Sequence, residues 1–494
     1  MCVHLVTALL TVVVFLATST SLADALPRVH PDVHRTLRKQ GTVNLLVTLA
    51  ATTESTLDSF KKATFETRSA QLESLKDQLE AHHTTASDEL EKLLSQERSG
   101  DAIHSGYKSF WISGQVVISA ANHEFVEKLA GLGSIASVRE QAIAKLDRPP
   151  KSSEVRTQRI GAVQSTRRNS WGIDKIGAPQ VWAEGFDGQG IVVASIDSGV
   201  RSTHEALQDN FRGAYGWYDP ELKSKNPYDV DGHGTHTMGT IAGSNGVGVA
   251  PGATWMACKG CRVDDCMDAD LLECAQFMLC PTDTRGNNAD CSKAPRVVSN
   301  SWSTPGGDDW FKAAIDAWIV AGIIPVFSQG NTGSDCNTVR SPGDYPTVIA
   351  VGASTSDNEL ASYSARGPST WGGVKPDISA PGSAVFSAYG SGDTEYRKSS
   401  GTSMATPHVA GTIALLLSAQ PEYTFDMVKR ILIRSADKKG LAWSNSTCGD
   451  VSDRKWPNNQ WGNGLLNAYD AFTSMCPKPT IHPPLTQENM LKPM

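Results

Sequence analysis

Two different rhythms of apolar residues run along this chain. In residues 26 to 146, Val43-Asn44-Leu45-Leu46-Val47-Thr48-Leu49 has the texture of a strand. Leu72, Leu75 and Leu79, then Leu90, Leu93 and Leu94, recur at helical spacing and predict a long amphipathic helix. Residues 110–120 predict a second strand, centred on Val116-Val117-Ile118. Phe125, Val126, Leu129 and Leu132 predict a second helix, and residues 138–146 a closing strand. That order describes a small α+β domain. From Trp171 the rhythm changes, and short continuous apolar runs alternate with helical patterns. Residues 191–196, 297–298, 323–327 and 348–351 read as buried strands. Residues 313–321 and 406–419 read as helices between them. This alternation predicts an α/β fold with a mainly parallel sheet over residues 171–476.

The texture between the two blocks is different again. Residues 147–170 hold Pro149-Pro150, the pair Arg167-Arg168 and many polar residues, and predict an exposed linker open to cleavage. At the N-terminus, residues 5–17 are apolar and Ala23-Asp24-Ala25 follows, which predicts a signal peptide over residues 1–25. The run is short of the roughly 20 residues that cross a bilayer. Residues 477–494 form a Pro-rich tail without a hydrophobic pattern.

Composition narrows the class. Of 494 residues, 40% are hydrophobic and 20% charged, ordinary for a globular protein, and the formal charge of -7 gives no electrostatic reason for a nucleic-acid partner. Ten cysteines suit an oxidising compartment. Cys2 would leave with the signal peptide, and the remainder is odd in number. Cys258, Cys261, Cys266, Cys274, Cys280 and Cys291 cluster; Cys336, Cys448 and Cys476 follow. Cys258-x-x-Cys261 could suggest zinc, but the cluster contains no His and disulfides fit a secreted chain better. Asn445-Ser446-Thr447 is an N-glycosylation sequon.

Four motifs carry chemistry. Asp197 ends an apolar strand in Ile196-Asp197-Ser198-Gly199, at the sheet edge where open α/β folds place their sites. His233 sits between glycines in Asp231-Gly232-His233-Gly234-Thr235-His236. Asn331 follows a strand in Ser328-Gln329-Gly330-Asn331. Ser403 opens a helix in Gly401-Thr402-Ser403-Met404-Ala405-Thr406-Pro407. Each has a plainer reading on its own: a turn or cap residue for Asp197, a turn residue for Asn331 and a helix cap for Ser403.

In the order Asp, His, Ser, these motifs resemble the subtilisin-like serine proteases, the subtilases, whose chain order is a known pattern. The resemblance extends to Lys375-Pro376-Asp377-Ile378-Ser379-Ala380-Pro381-Gly382 and to Gly462-Asn463-Gly464-Leu465-Leu466-Asn467-Ala468. It implies a three-layer catalytic domain. Ser403 would be the nucleophile, His233 the general base, Asp197 its orienting partner, and Asn331 the oxyanion donor. His236 falls on the family's second histidine and is expected to be structural. Ser301, Trp302 and Ser303 are expected to line the primary specificity pocket, with Ser328, Gln329 and Gly330 as the other wall. Trp302 could equally belong to the core, and Ser303 stands where subtilisins usually carry Gly.

Residues 26–146 are similar in position and pattern to the family's propeptide, though the first helix is longer. A zymogen that cuts itself within 147–170 follows from that likeness; a plain binding domain is the other reading. The resemblance implies a secreted, monomeric endopeptidase. It would act on protein or peptide substrates, be inhibited by its own propeptide, and have no membrane attachment after signal removal. No cofactor is required for the chemistry. Calcium is common in the family, but the loop Ser244-Asn245-Gly246-Val247 is short where subtilisin holds its strong site, so no ligands carry over. A silent homologue would lack one of the four motif residues. The related sedolisins replace the His and Asn with carboxylates, and this chain retains both.

Overall fold

The computed structural model describes residues 28–96, 104–149, 158–160 and 169–475. The expected signal peptide, most of the linker, Cys476 and the Pro-rich tail lie outside the described residues.

The N-terminal unit carries a five-stranded sheet in the spatial order Arg28–Val29, Ile135–Glu140, Val43–Leu49, Gln115–Ala121, Gly106–Phe110. Alternation along Val43–Leu49 explains its two faces. Leu45 and Val47 join Leu90, Leu94, Phe125 and Val126 in the unit's own core. Leu46 and Val117 point the other way, into an apolar layer shared with the C-terminal unit. The helix Arg68–Gln96 divides its labour similarly: Leu72, Leu75 and Leu79 face the shared layer, Leu90 and Leu94 the unit's own core. The 110–120 region is a hairpin, Gly106–Phe110 and Gln115–Ala121, rather than one strand. The turn falls at Gly114, whose φ of 65° suits glycine. The closing region is two strands, Ile135–Glu140 and Ile143–Leu146, and the second leaves the sheet.

The C-terminal unit is a seven-stranded sheet ordered Ile378–Pro381, Ile349–Ser354, Ile324–Ser328, Val297–Asn300, Val192–Asp197, Thr254–Lys259, Trp217–Tyr218, with every pair parallel. Continuous apolar runs are what such strands need, because both faces are covered. Val193, Val297 and Val326 pack with the helices His233–Ala242 and Thr402–Ala419 on one face. Ala194, Val298 and Phe327 pack with Asp268–Leu279 and Lys312–Val320 on the other. The result is a three-layer α/β/α unit.

Four disulfides pair eight of the cysteines: Cys258–Cys274, Cys261–Cys266, Cys280–Cys291 and Cys336–Cys448. Six of these cysteines form the dense cluster seen in the sequence. The Cys261–Cys266 bridge closes a small ring immediately before and into the short strand Asp265–Met267.

Candidate active site

The strand Val192–Asp197 lies between two parallel neighbours, and its carboxyl end delivers Asp197 to the edge of the sheet. The Asp197 side chain is buried, and Ser198 N–H donates to its Oδ1 at 2.7 Å. The helix His233–Ala242 begins beside it. Asp229 anchors that start, accepting the N–H groups of Asp231, Gly232 and Thr235 at 3.0, 2.8 and 2.8 Å. These are helix-terminal donors that would otherwise lack partners. Gly234 permits close approach to the strand end: a Cβ there would meet the Gly199 carbonyl oxygen at 2.0 Å.

This proximity brings His233 Nδ1 to 2.7 Å from Asp197 Oδ1. A carboxylate only accepts, so Nδ1 carries the proton and leaves Nε2 with its lone pair. His233 Nε2 is buried, with no hydrogen-bond partner among the described residues. Burial works to lower the His233 pKa; the charge of Asp197 and its hydrogen bond outweigh that, and the net shift is upward from 6.5.

Ser403 is fully buried in the first turn of Thr402–Ala419. Asn331 lies just beyond the strand Ile324–Ser328. Thr402 fixes its amide: the Thr402 N–H and hydroxyl donate to Asn331 Oδ1 at 2.9 and 3.0 Å. Asn331 Nδ2 is thereby turned toward Ser403. One oxygen fills the space between them, the main-chain carbonyl oxygen of Asp147. Ser403 Oγ donates to it at 2.7 Å and Asn331 Nδ2 at 2.6 Å.

The peptide that brings this carbonyl in is Ile143–Leu146, inserted as an antiparallel strand between Asp265–Met267 and Trp302–Ser303. Leu146 lies opposite Trp302 and Lys145 opposite Ser303. Asp147 N–H then donates to Ser301 O at 3.1 Å. Such strand addition holds a peptide by its backbone.

Beyond it, the Asp147 side chain enters a closed polar pocket. Ser303 Oγ donates to Oδ1 and Ser328 Oγ to Oδ2. Arg340 Nε donates to Ser303 Oγ at 3.0 Å. Burial pushes the Asp147 carboxyl up, while the two serine hydrogen bonds and the Arg340 charge pull it down; burial prevails. The next residue, Arg148, bridges Asp231 Oδ2 and Asp264 Oδ1, each at 2.8 Å.

Asp197 and His233 are therefore paired, and Asn331 and Ser403 converge on the Asp147 carbonyl oxygen. Ser301, Ser303 and Ser328 meet around Asp147. Trp302 contributes only backbone to the cleft; its ring is in the core, 5.1 Å from Phe311 and 5.4 Å from Phe327 between centroids. Gln329 turns its amide to the Ala365 carbonyl. Gly330 passes over Arg340, where a Cβ would meet Arg340 Cγ at 2.9 Å. His236 is remote from the cleft peptide in function: Nε2 bonds to the Val385 and Arg397 carbonyls at 3.0 and 3.2 Å. Burial pulls its pKa down to about 4, so it stays neutral. Asn445 is exposed.

Asp147, Arg148, Thr402 and Arg340 were not identified as site residues by sequence reasoning. Asp147 and Arg148 stand where an apolar strand meets Pro149-Pro150, a shift that marks a boundary. Arg340 belongs to no motif. No group of three or more His, Cys, Asp or Glu suited to a metal ion occurs among the described residues, and no described helix is long and apolar enough to cross a membrane.

The subtilase family pattern matches residues 188–461. The chain is 36% identical to bacillopeptidase F of Bacillus subtilis (strain 168) over 440 residues, which is 84% of this chain and 29% of that protein. It is 34% identical to subtilisin E of the same organism over 346 residues, 68% of this chain and 79% of the relative. Against subtilisin of Bacillus pumilus it is 36% identical over 311 residues, 61% of this chain and 98% of the relative. The chain thus spans under a third of bacillopeptidase F but most of the length of the subtilisins.

Proposed function

Because the chain belongs to the subtilase family of serine peptidases, we propose that it is a secreted endopeptidase made as a self-processing zymogen. In this reading Ser403 Oγ attacks the carbonyl carbon of Asp147 and gives its proton to His233 Nε2. Asp197 holds the imidazole and stabilises its positive charge. The developing oxyanion takes the place of the Asp147 oxygen, where Asn331 Nδ2 already donates. Collapse breaks the Asp147–Arg148 bond, and His233 protonates the departing Arg148 nitrogen. Asp147 is left as an ester on Ser403. Water, deprotonated by His233, then releases it.

The single observation behind this is the Asp147 carbonyl, held within 2.7 Å of Ser403 Oγ and 2.6 Å of Asn331 Nδ2. The N-terminal unit through Asp147 would be the propeptide, with Ile143–Leu146 occupying the substrate cleft as an inhibitor. Arg148 would be the first residue of the mature N-terminus. The signal-like segment at residues 1–25, the four disulfides and the exposed Asn445 sequon favour secretion and glycosylation.

Intact mass and N-terminal sequencing of wild type and Ser403→Ala test the proposal. The wild type should yield a chain beginning at Arg148 that is labelled by a serine-directed phosphonate. Ser403→Ala should remain joined and unlabelled. Cleavage that persists in purified Ser403→Ala would overturn it.

A further inference from the structure

The pocket around the Asp147 side chain has a composition that the catalytic reading does not explain. A pocket for an apolar side chain would be walled by carbon. Here both carboxylate oxygens are met by hydroxyl donors, Ser303 on Oδ1 and Ser328 on Oδ2. Both serines are buried, at 1% and 0% exposure. Behind them Arg340 Nε donates to Ser303 Oγ at 3.0 Å. That bond occupies a Ser303 lone pair and leaves its proton to be donated forward. The guanidinium thus polarises a hydroxyl already aimed at the carboxylate. Arg340 has no carboxylate within 4.0 Å among the described residues, so its charge is not spent on a neighbouring acid of the wall. Gly330 is what lets this side chain lie against the pocket.

We propose that the mature enzyme cuts after acidic residues, with Ser303, Ser328 and Arg340 determining that preference. The proposal rests on the peptidase reading above. The same chemistry accounts for Ser303 standing where subtilisins usually carry Gly, and it receives the Asp at the end of the inserted strand. An uncharged apolar side chain would leave two buried hydroxyls facing carbon, which costs binding. A lysine would face Arg340 across the pocket.

The next position carries a complementary preference. Arg148 sits between Asp231 and Asp264, and its Nη2 donates to the Val263 carbonyl at 3.0 Å. A basic residue after the cut is therefore favoured, by less, because Arg148 and Asp264 are both exposed.

Mature wild-type enzyme and an Arg340→Glu variant, each first titrated with a phosphonate to count active sites, provide the test. Both would be assayed on peptides identical except for Asp, Glu, Asn, Ala, Leu, Phe or Lys before the cut. The wild type should favour Asp or Glu over Ala, Leu and Phe in kcat/KM by about ten- to a hundredfold, as expected for charge-assisted hydrogen bonds. Arg340→Glu should lose that preference and gain turnover after Lys. An Arg340→Gln variant serves if the reversal disturbs folding, and should reduce the Asp-to-Asn ratio. Labelled enzyme that prefers Leu or Phe, or an acidic preference unchanged in both variants, would overturn this inference while leaving the peptidase reading intact. Absence of both labelling and hydrolysis would overturn the peptidase reading itself.

Discussion

Asn331 is aimed by Thr402, and that arrangement makes its contribution separable from folding. Asn331→Ala keeps the strand end and the helix start but removes the donor 2.6 Å from the Asp147 oxygen. Turnover should fall by about 10²–10³, the magnitude known for an oxyanion donor in subtilisin, with little change in KM. Steady-state kinetics on one peptide checks both numbers. The base behaves differently. In the proposed mechanism His233 must be neutral to accept the Ser403 proton, and the Asp197 charge and hydrogen bond outweigh burial to hold its pKa above the ordinary 6.5. Activity should therefore be lost as pH falls through that raised value. The Arg148 charge acts to lower this pKa, so departure of Arg148 moves it further up. In mature enzyme the acid limb of kcat/KM should have a midpoint above 6.5, and Asp197→Asn should abolish the ordinary limb along with most of the rate. A limb centred below 6 would contradict the assignment of His233 as base.

At the scale of elements, the strands that hold the site are tied down by buried charge as well as by packing. Asp377 receives Lys375 Nζ at 2.7 Å, Lys429 Nζ at 2.8 Å and the Ala350 N–H at 2.8 Å. Burial lowers Lys375 to about 8 even with Asp377 beside it. Asp377→Ala would leave that lysine almost fully buried without a counter-charge, a change that costs about 3–5 kcal/mol. Chemical denaturation should show the loss in full. A loss below about 1 kcal/mol would mean that water reaches the lysines.

The same elements show what could be read from the chain and what could not. The central strands and the Ser403 helix were legible because continuous apolar runs and helical spacing are local. The Trp111–Gly114 turn was hidden because the apolar run of the first strand continues into it through Trp111 and Ile112, leaving only Ser113-Gly114 as a break. Trp302 was ambiguous because a strand presents backbone to the cleft and ring to the core at the same residue. Asp147 meets the site only through contacts more than 150 residues away in sequence, and Arg340 reaches Ser303 across 37 residues, pairings of which periodicity carries no trace.

Across the whole molecule, the two units share one apolar layer and one strand ladder. Arg68 adds hydrogen bonds to the Ala294 and Pro295 carbonyls at 3.1 and 2.8 Å. Lys108 pairs with Glu273, and Asp268 Oδ2 accepts the Ala142 N–H at 2.8 Å. None of these contacts depends on the Asp147–Arg148 bond. Cutting that bond should leave the N-terminal unit seated, with the new Asp147 carboxylate still in its pocket. Residues 28–147 supplied separately should then inhibit mature enzyme competitively, and Arg68→Ala in that unit should weaken inhibition. Non-competitive inhibition, or none, would argue that the interface is not the substrate cleft.

The ring closed by Cys261 and Cys266 has a consequence for how this molecule responds to its surroundings. Cys261 N–H donates to the Asp197 carbonyl at 3.0 Å, while Cys266 lies in the strand that pairs with Ala144. One covalent staple therefore joins the orienting carboxylate's backbone to one rail of the substrate groove. Other bridges hold the remaining layers, so losing this one loosens the groove before it loosens the fold. A Cys261→Ser, Cys266→Ser enzyme should keep its melting temperature within a few degrees and show a raised KM for long peptides. Surroundings that opened this one bridge would loosen the enzyme's grip on peptide before they loosened its fold.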